Sequence, residues 1–199
     1  DPCAVSYTMA QLGPDMTTNV HAIALDAAGT GLLVGEGGNF ASIEIKRLEI
    51  ATGILSPYLD VWTGPESGQC LIRDIDVDPT SGDLAVLLWH NEGGANDKWL
   101  QIYDSGLALQ NTWDVSGRNG CAWGLDGNVY VAGEGGDNLY QVDPDTGAET
   151  SYVVGANLLG IALDSNGKLL LGQYGKINIF DPVTDTVSMW LNGRDVGPE

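Results

Sequence analysis

The recurring pattern in this chain is a short apolar run, a turn and a second apolar run. Val20-His21-Ala22-Ile23-Ala24-Leu25-Asp26 continues through Gly29 to Leu32-Leu33-Val34-Gly35. Leu158-Leu159-Gly160-Ile161-Ala162-Leu163-Asp164 continues through Gly167 to Leu169-Leu170-Leu171-Gly172. The same grammar returns as Ile72-Arg73-Asp74-Ile75-Asp76-Val77-Asp78 with Leu84-Ala85-Val86, and as Arg118-Asn119-Gly120-Cys121-Ala122-Trp123 with Val129-Tyr130-Val131-Ala132. Each unit then adds a third run, an Asp-Pro or Thr-Gly turn and a fourth run. The clearest case is Leu139-Tyr140-Gln141-Val142, Asp143-Pro144-Asp145-Thr146-Gly147 and Ser151-Tyr152-Val153-Val154-Gly155. Runs this short, punctuated by residues that tolerate positive φ, predict β-strands.

Four strands per unit, with the turn glycines Gly82, Gly127 and Gly167 spaced 45 and 40 residues apart, predict the antiparallel blades of an all-β, β-propeller fold. The units divide as residues 14–64, 65–117, 118–155 and 156–193. Residues 1–13 read as the outer strand of a preceding blade, because Asp1-Pro2 to Gly13 repeats the spacing of Asp143-Pro144 to Gly155. Residues 194–199 read as the start of a next blade. The expected architecture is a piece of a larger propeller, the alternatives being a four-bladed ring with an added strand, or two copies joined into a larger ring.

Composition narrows the partners. Eight Lys and Arg stand against 27 Asp and Glu, a formal charge of −19. The basic residues form no cluster, and so acidic a surface repels phosphate backbones and anionic headgroups, so no nucleic acid is expected as a partner. The longest apolar stretch, Leu84 to Trp89, is far below the roughly 20 residues of a spanning helix, so no membrane insertion is expected. Cys3, Cys70 and Cys121 show no Cys-x-x-Cys spacing. The acidic, lysine-poor composition and the repeat type suggest an extracellular or periplasmic location.

The segment from Asn119 through Asp126-Gly127-Asn128-Val129 to Thr146-Gly147 resembles the repeats of NHL-type propellers, and among them virginiamycin B lyase-like proteins, with gluconolactonase-like propellers more distant. The resemblance extends over all four units and is one of repeat grammar, which is informative about fold rather than activity. It implies a His or Arg just before the innermost strand's Gly-Ile and a Glu where the second strand ends. The first position reads His21, Arg73, Asn119 and Leu159; near the second stand Glu36, Glu92, Glu134 and Gln173. No blade follows a tryptophan-bearing second strand directly with Glu.

The loops Gly35-Glu36-Gly37-Gly38, Asn91-Glu92-Gly93-Gly94 and Gly133-Glu134-Gly135-Gly136 repeat between second and third strands. On a propeller they share one end with the heads of the inner strands. His21, Arg73, Asn119, Glu36, Glu92, Glu134 and Gln173 are therefore the expected ligand-binding residues of a channel mouth. Asp74, Asp76 and Asp78 form a D-x-D-x-D run, a weaker candidate for a divalent cation, calcium or magnesium. Pro79 occupies the sixth position, where a calcium loop requires Gly. On a strand, Asp74 and Asp76 share a face and must find donors, with Arg73 and backbone amides as candidates. His90 reads as an exposed loop residue. Trp62, Trp113 and Trp190 read as packing on outer strands, Trp99 and Trp123 as interior, and Cys121 as a buried small apolar residue.

No nucleophile elbow, phosphate loop, zinc-protease or dinucleotide motif is present. The expected function is a non-catalytic binding or interaction propeller for a protein or small polar ligand, with self-association through open blade edges. The alternatives are a metal-assisted lyase or lactone hydrolase, and a structural component of an extracellular assembly.

Overall fold

A computed structural model describes residues 19–38, 43–62, 69–92, 95–133, 138–155 and 157–192. All regular structure in these residues is β. Blade 1 consists of β1 (Asn19–Leu25), β2 (Gly31–Gly38), β3 (Ile43–Glu49) and β4 (Leu55–Trp62). Blade 2 consists of β5 (Gln69–Val77), β6 (Leu84–Glu92), β7 (Ala95–Tyr103) and β8 (Leu109–Asp114). Blade 3 holds β9 (Gly117–Trp123), β10 (Val129–Gly133), β11 (Asn138–Val142) and β12 (Glu149–Val153). Blade 4 holds β13 (Leu158–Leu163), β14 (Leu169–Gln173), β15 (Lys176–Asp181) and β16 (Thr186–Asn192). No helix of the described residues is long and apolar enough to cross a membrane.

Within each blade the strands are antiparallel and joined in chain order. The turn chemistry accounts for part of the aspartate content. Between the first two strands, Asp26 accepts from Thr30 N, Asp78 from Thr80 N, Asp126 from Asn128 N and Asp164 from Asn166 N. Gly29, Gly82, Gly127 and Gly167 close these turns at φ between 66° and 80°, a conformation that favours glycine. Asp104, Asp143 and Asp181 cap the turns between third and fourth strands in the same manner. Seven of the 27 acidic residues therefore terminate hairpins.

The blades stack through three apolar cores. Leu33, Ile43 and Ile45 of blade 1 meet Ile72, Ile75 and Val86 of blade 2. Leu87, Leu100 and Ile102 of blade 2 meet Cys121, Trp123 and Val131 of blade 3. Tyr130, Ala132 and Leu139 of blade 3 meet Leu169, Leu171 and Phe180 of blade 4. Successive side chains of a strand point to opposite sides, so one blade serves two cores. Innermost strands pack in sequence, β1 on β5, β5 on β9 and β9 on β13.

One junction differs from the separate blades that the repeat predicts. The end of β2 pairs with β5, Gly37 opposite Leu71 and Gly38 opposite Cys70, fusing blades 1 and 2 into one sheet. Two glycines let the backbone approach that closely.

Candidate functional site

The innermost strands of all four blades line a cavity of about 370 Å³, whose walls include Ile23 and Ala24 of β1, Asp74 and Asp76 of β5, Cys121 of β9, and Ile161 and Leu163 of β13. The inner strands β5 and β9 belong to separate sheets. Side chains bridge them instead. Asp74 Oδ2 accepts from Cys121 N at 2.8 Å, and Asp76 Oδ2 accepts from Trp123 N at 2.7 Å. Asp74 Oδ1 also accepts from the amide of Ile75 at 2.9 Å. Gly120 makes room, because a Cβ there would lie 3.1 Å from Asp74 Oδ2.

Burial pushes the Asp74 carboxyl up to about 6, against the lowering effect of the Cys121 and Ile75 amides, and Asp76 adds repulsion. Asp76 is likewise pushed up to about 6 by burial, with the Trp123 and Val77 amides opposing and Asp78 adding repulsion. The backbone amides anticipated as donors are thus those of Cys121 and Trp123. Asp78 lies apart in its turn, accepting from Thr80 N and Ser81 Oγ. Asp74 and Asp76 reach toward β9 while Asp78 caps a hairpin.

Arg73 Nε donates to Arg118 O at 3.2 Å, and Asn119 Nδ2 donates to Leu158 O at 2.8 Å and Gly133 O at 3.1 Å. Both heads of inner strands therefore tie one blade to the next. His21, the corresponding residue of blade 1, is exposed. Gln173 is turned inward, 7% exposed, with Nε2 donating to Val154 O and Gly155 O while Oε1 accepts from Asn178. Glu36 and Glu92 belong to the ends of β2 and β6, with backbones opposite Val20 and Ala95. Glu134 lies outside the described residues.

His90 departs from the exposed loop position expected of it. The β6–β7 hairpin runs on past it, leaving it 4% exposed and stacked on Trp99 at 5.4 Å, with Nδ1 3.8 Å from Asp97 Oδ2. Nearby, the Arg118 guanidinium stands 5.3 Å over the Trp89 ring. The sequence signal for this cluster is the longer apolar run ending at Trp89. Trp113 packs at the rim as expected, its Nε1 donating to Pro144 O across the blade 2–blade 3 boundary. Trp123 and Cys121 are interior, and burial holds the Cys121 thiol well above the usual thiol range, so it stays protonated.

No known family model matches the chain, and no curated protein does. Solved structures do match. A gluconolactonase from Xanthomonas campestris aligns at 20% identity and a TM-score of 0.67, over 91% of this chain and 64% of its own. A streptogramin B lyase aligns at 16% identity and a TM-score of 0.62, over 90% and 57%. The fold is a virginiamycin B lyase-like β-propeller. The WD40 repeats of RRP9, at 8% identity and a TM-score of 0.63, share the propeller over 89% of this chain and 52% of theirs. This propeller chain thus spans between about half and two thirds of the length of these structures. At such identities the likeness concerns architecture alone.

Proposed function

We propose that the chain is a non-catalytic binding propeller whose central cavity takes a protein segment or small polar ligand bearing positive charge. The observation that supports this reading is the occupation of Arg73 and Asn119 as ties between blades. It leaves a cavity whose prominent chemistry is two carboxylates, Asp74 and Asp76, among Ile, Ala and Leu side chains. A cation entering there would neutralise two desolvated anions, and the −19 net charge would steer it toward the protein.

Titration with arginine ethyl ester, followed by amide NMR, tests this. The amides of Cys121 and Trp123 are expected to shift first, less in high salt, and not at all in the double variant Asp74→Asn with Asp76→Asn. Shifts spread evenly over the acidic surface, or unchanged in the double variant, would defeat the proposal.

The rival metal-assisted lyase or lactonase would draw its ion ligands from the Glu36, Glu92 and Glu134 loops. Thermal melts with EDTA, and with added calcium or magnesium, separate the two. A gain of several degrees with metal that persists in the double variant Asp74→Asn with Asp76→Asn would favour the rival, whereas a gain lost in that variant belongs to the carboxylate cavity, since a ligand of the folded form stabilises it.

A further inference from the structure

The turns between first and second strands share one pattern, which makes a departure at one seam visible. Gly29, Gly82, Gly127 and Gly167 each donate to the carbonyl that opens their turn, of Asp26, Asp78, Gly124 and Asp164. The residue after that carbonyl is Ala27, Pro79, Leu125 or Ser165. Across the blade 1–blade 2 seam, a Cβ at Gly82 would meet Ala27 Cβ at 3.4 Å, and across the blade 3–blade 4 seam a Cβ at Gly167 would meet Leu125 Cδ1 at 2.8 Å. Across the blade 2–blade 3 seam the corresponding partner is Pro79, yet a Cβ at Gly127 would meet nothing within 4 Å. Pro79 lines the inner-strand cavity. The middle seam is therefore open where the seams on either side are shut.

The opening is a cleft of about 490 Å³. Its walls include Asp78, Asp83 and Asp104 of blade 2 and Asp145 of blade 3, and it is also lined by Ile102 and Trp123 of the apolar core between these blades. All four turns that frame it are described. Hydrogen bonds hold it in shape. Ser105 N donates to Asp83 Oδ1 at 2.9 Å, joining two turns of blade 2, and Asn111 Nδ2 donates to Pro144 O at 2.9 Å across the seam.

Two independent features of this cleft call for a ligand. Trp123 is 3% exposed, and its Nε1 has no acceptor among the described residues. Trp123 lines this cleft and not the inner-strand cavity, so its indole opens here. A donor taken out of water without an acceptor is unfavourable, and an occupant with an acceptor would relieve it. The second feature is the state of the carboxylates. Asp104 accepts from Gly106 N, Ala108 N and Gln110 Nε2, and Asp78 from Thr80 N and Ser81 Oγ. Asp83 Oδ2 and both side-chain oxygens of Asp145 accept no bond among the described residues. No Lys or Arg lines the cleft.

The occupant must then carry an acceptor for the indole N–H together with donors for Asp83 and Asp145. A metal ion or an alkylammonium brings no acceptor. A carboxylate or phosphate brings one but meets the charge of four aspartates. Hydroxyl groups both donate and accept, and an ammonium beside them is drawn to the acidic walls. We propose that this cleft is a second binding site, separate from the inner-strand cavity, and that it takes a protonated amino sugar. Its volume falls within the roughly 300–1,000 Å³ of small-molecule sites.

The test is a titration of the full chain with glucosamine at about pH 6, where such an amine keeps its proton. It is followed by NMR at the indole N–H signals of the six tryptophans. The Trp123 Nε1 signal is expected to move saturably as it gains an acceptor. Glucose should bind more weakly, and glucuronate and cyclohexylammonium should leave that signal in place. Asp145→Asn alters an exposed side chain that holds no bond in the fold, and it is expected to raise the glucosamine Kd about tenfold. Adding Asp83→Asn, which keeps an oxygen for Ser105 N, should weaken binding further.

A Trp123 indole unmoved by glucosamine up to about 100 mM overturns the proposal. So does equal affinity for glucose, a response to glucuronate or cyclohexylammonium, or a Kd unchanged in the variants at Asp83 and Asp145. The response should persist in the double variant Asp74→Asn with Asp76→Asn. Its loss there would assign the sugar to the inner-strand cavity and remove the second site. The arginine ester titration is read at backbone amides and against that double variant, so either proposal can fail alone.

Discussion

Replacing Asp74 and Asp76 together by asparagine is expected to raise stability at neutral pH and to flatten its dependence on pH between about 4 and 6. Burial lifts both carboxyls from 3.8 to about 6. A carboxyl raised in this manner holds its proton more tightly in the folded chain than in the unfolded one. Its contribution is therefore fully present below the unfolded value and is lost as pH climbs through the folded one. At neutral pH both groups are charged in a place that resists charge. At about 1.4 kcal/mol per unit, the ceiling is about 3 kcal/mol for each group, and water in the open cavity reduces this to about 1–2 kcal/mol.

Asparagine retains an oxygen for the amides of Cys121 and Trp123, so the ties between β5 and β9 survive the exchange. The turn aspartates act in the opposite sense. Asp143 and Asp164 are held below the usual carboxylate range by backbone donors, and Asp181 by its bond from Lys168. Their contribution is present above the unfolded value and disappears as pH falls through their folded ones. Maximum stability is accordingly expected near about pH 4–5 in the parent chain and as a broad plateau reaching neutrality in the variant. Urea melts of both chains across this range provide the check. A variant weaker at neutral pH, with the slope intact, would show that the carboxylates are not the titrating groups.

Phe180→Ala is expected to cost about 3–5 kcal/mol, the range for emptying a fully enclosed aromatic site. Phe180 is 0% exposed, with ring centroids of Tyr152 and Tyr130 at 4.8 and 6.1 Å. The loss should remain local. Blade 4 shares a core with blade 3 alone among the described residues, and stacked units of this kind trade energy chiefly with their neighbours. Hydrogen exchange should therefore show amides of β14 and β15 opening early while those of β5, β6 and β7 retain protection. Uniform loss across all blades would mean that the chain unfolds as one cooperative body.

Much of this architecture is legible in the sequence because each blade repeats the same local solution. An aspartate ends the first strand, a glycine takes the left-handed φ, and apolar residues alternate between two cores. What the repeat conveys is position along a strand, and it is silent about where a polar side chain leans across a boundary. The repeat puts Arg73 and Asn119 at the heads of inner strands, yet their bonds to Arg118 O and Leu158 O depend on the separation of blades in space. His90 reads as a loop residue because Asn91-Glu92-Gly93-Gly94 follows it, whereas the paired partners Cys70 and Asp97 carry the strand past it. Asp74 and Asp76 are legible as carboxylates in need of donors. The identity of those donors requires β9, 47 residues further along the chain.

The backbone bridge at Gly37 and Gly38 carries a mechanical implication. Where the other neighbouring blades meet, among the described residues, through side chains, which can separate contact by contact, blades 1 and 2 also share Gly37–Leu71 and Gly38–Cys70 pairing. Tension applied across the molecule would meet its stiffest hinge there, so these two blades would travel as a single lever while the boundaries beyond β8 flex.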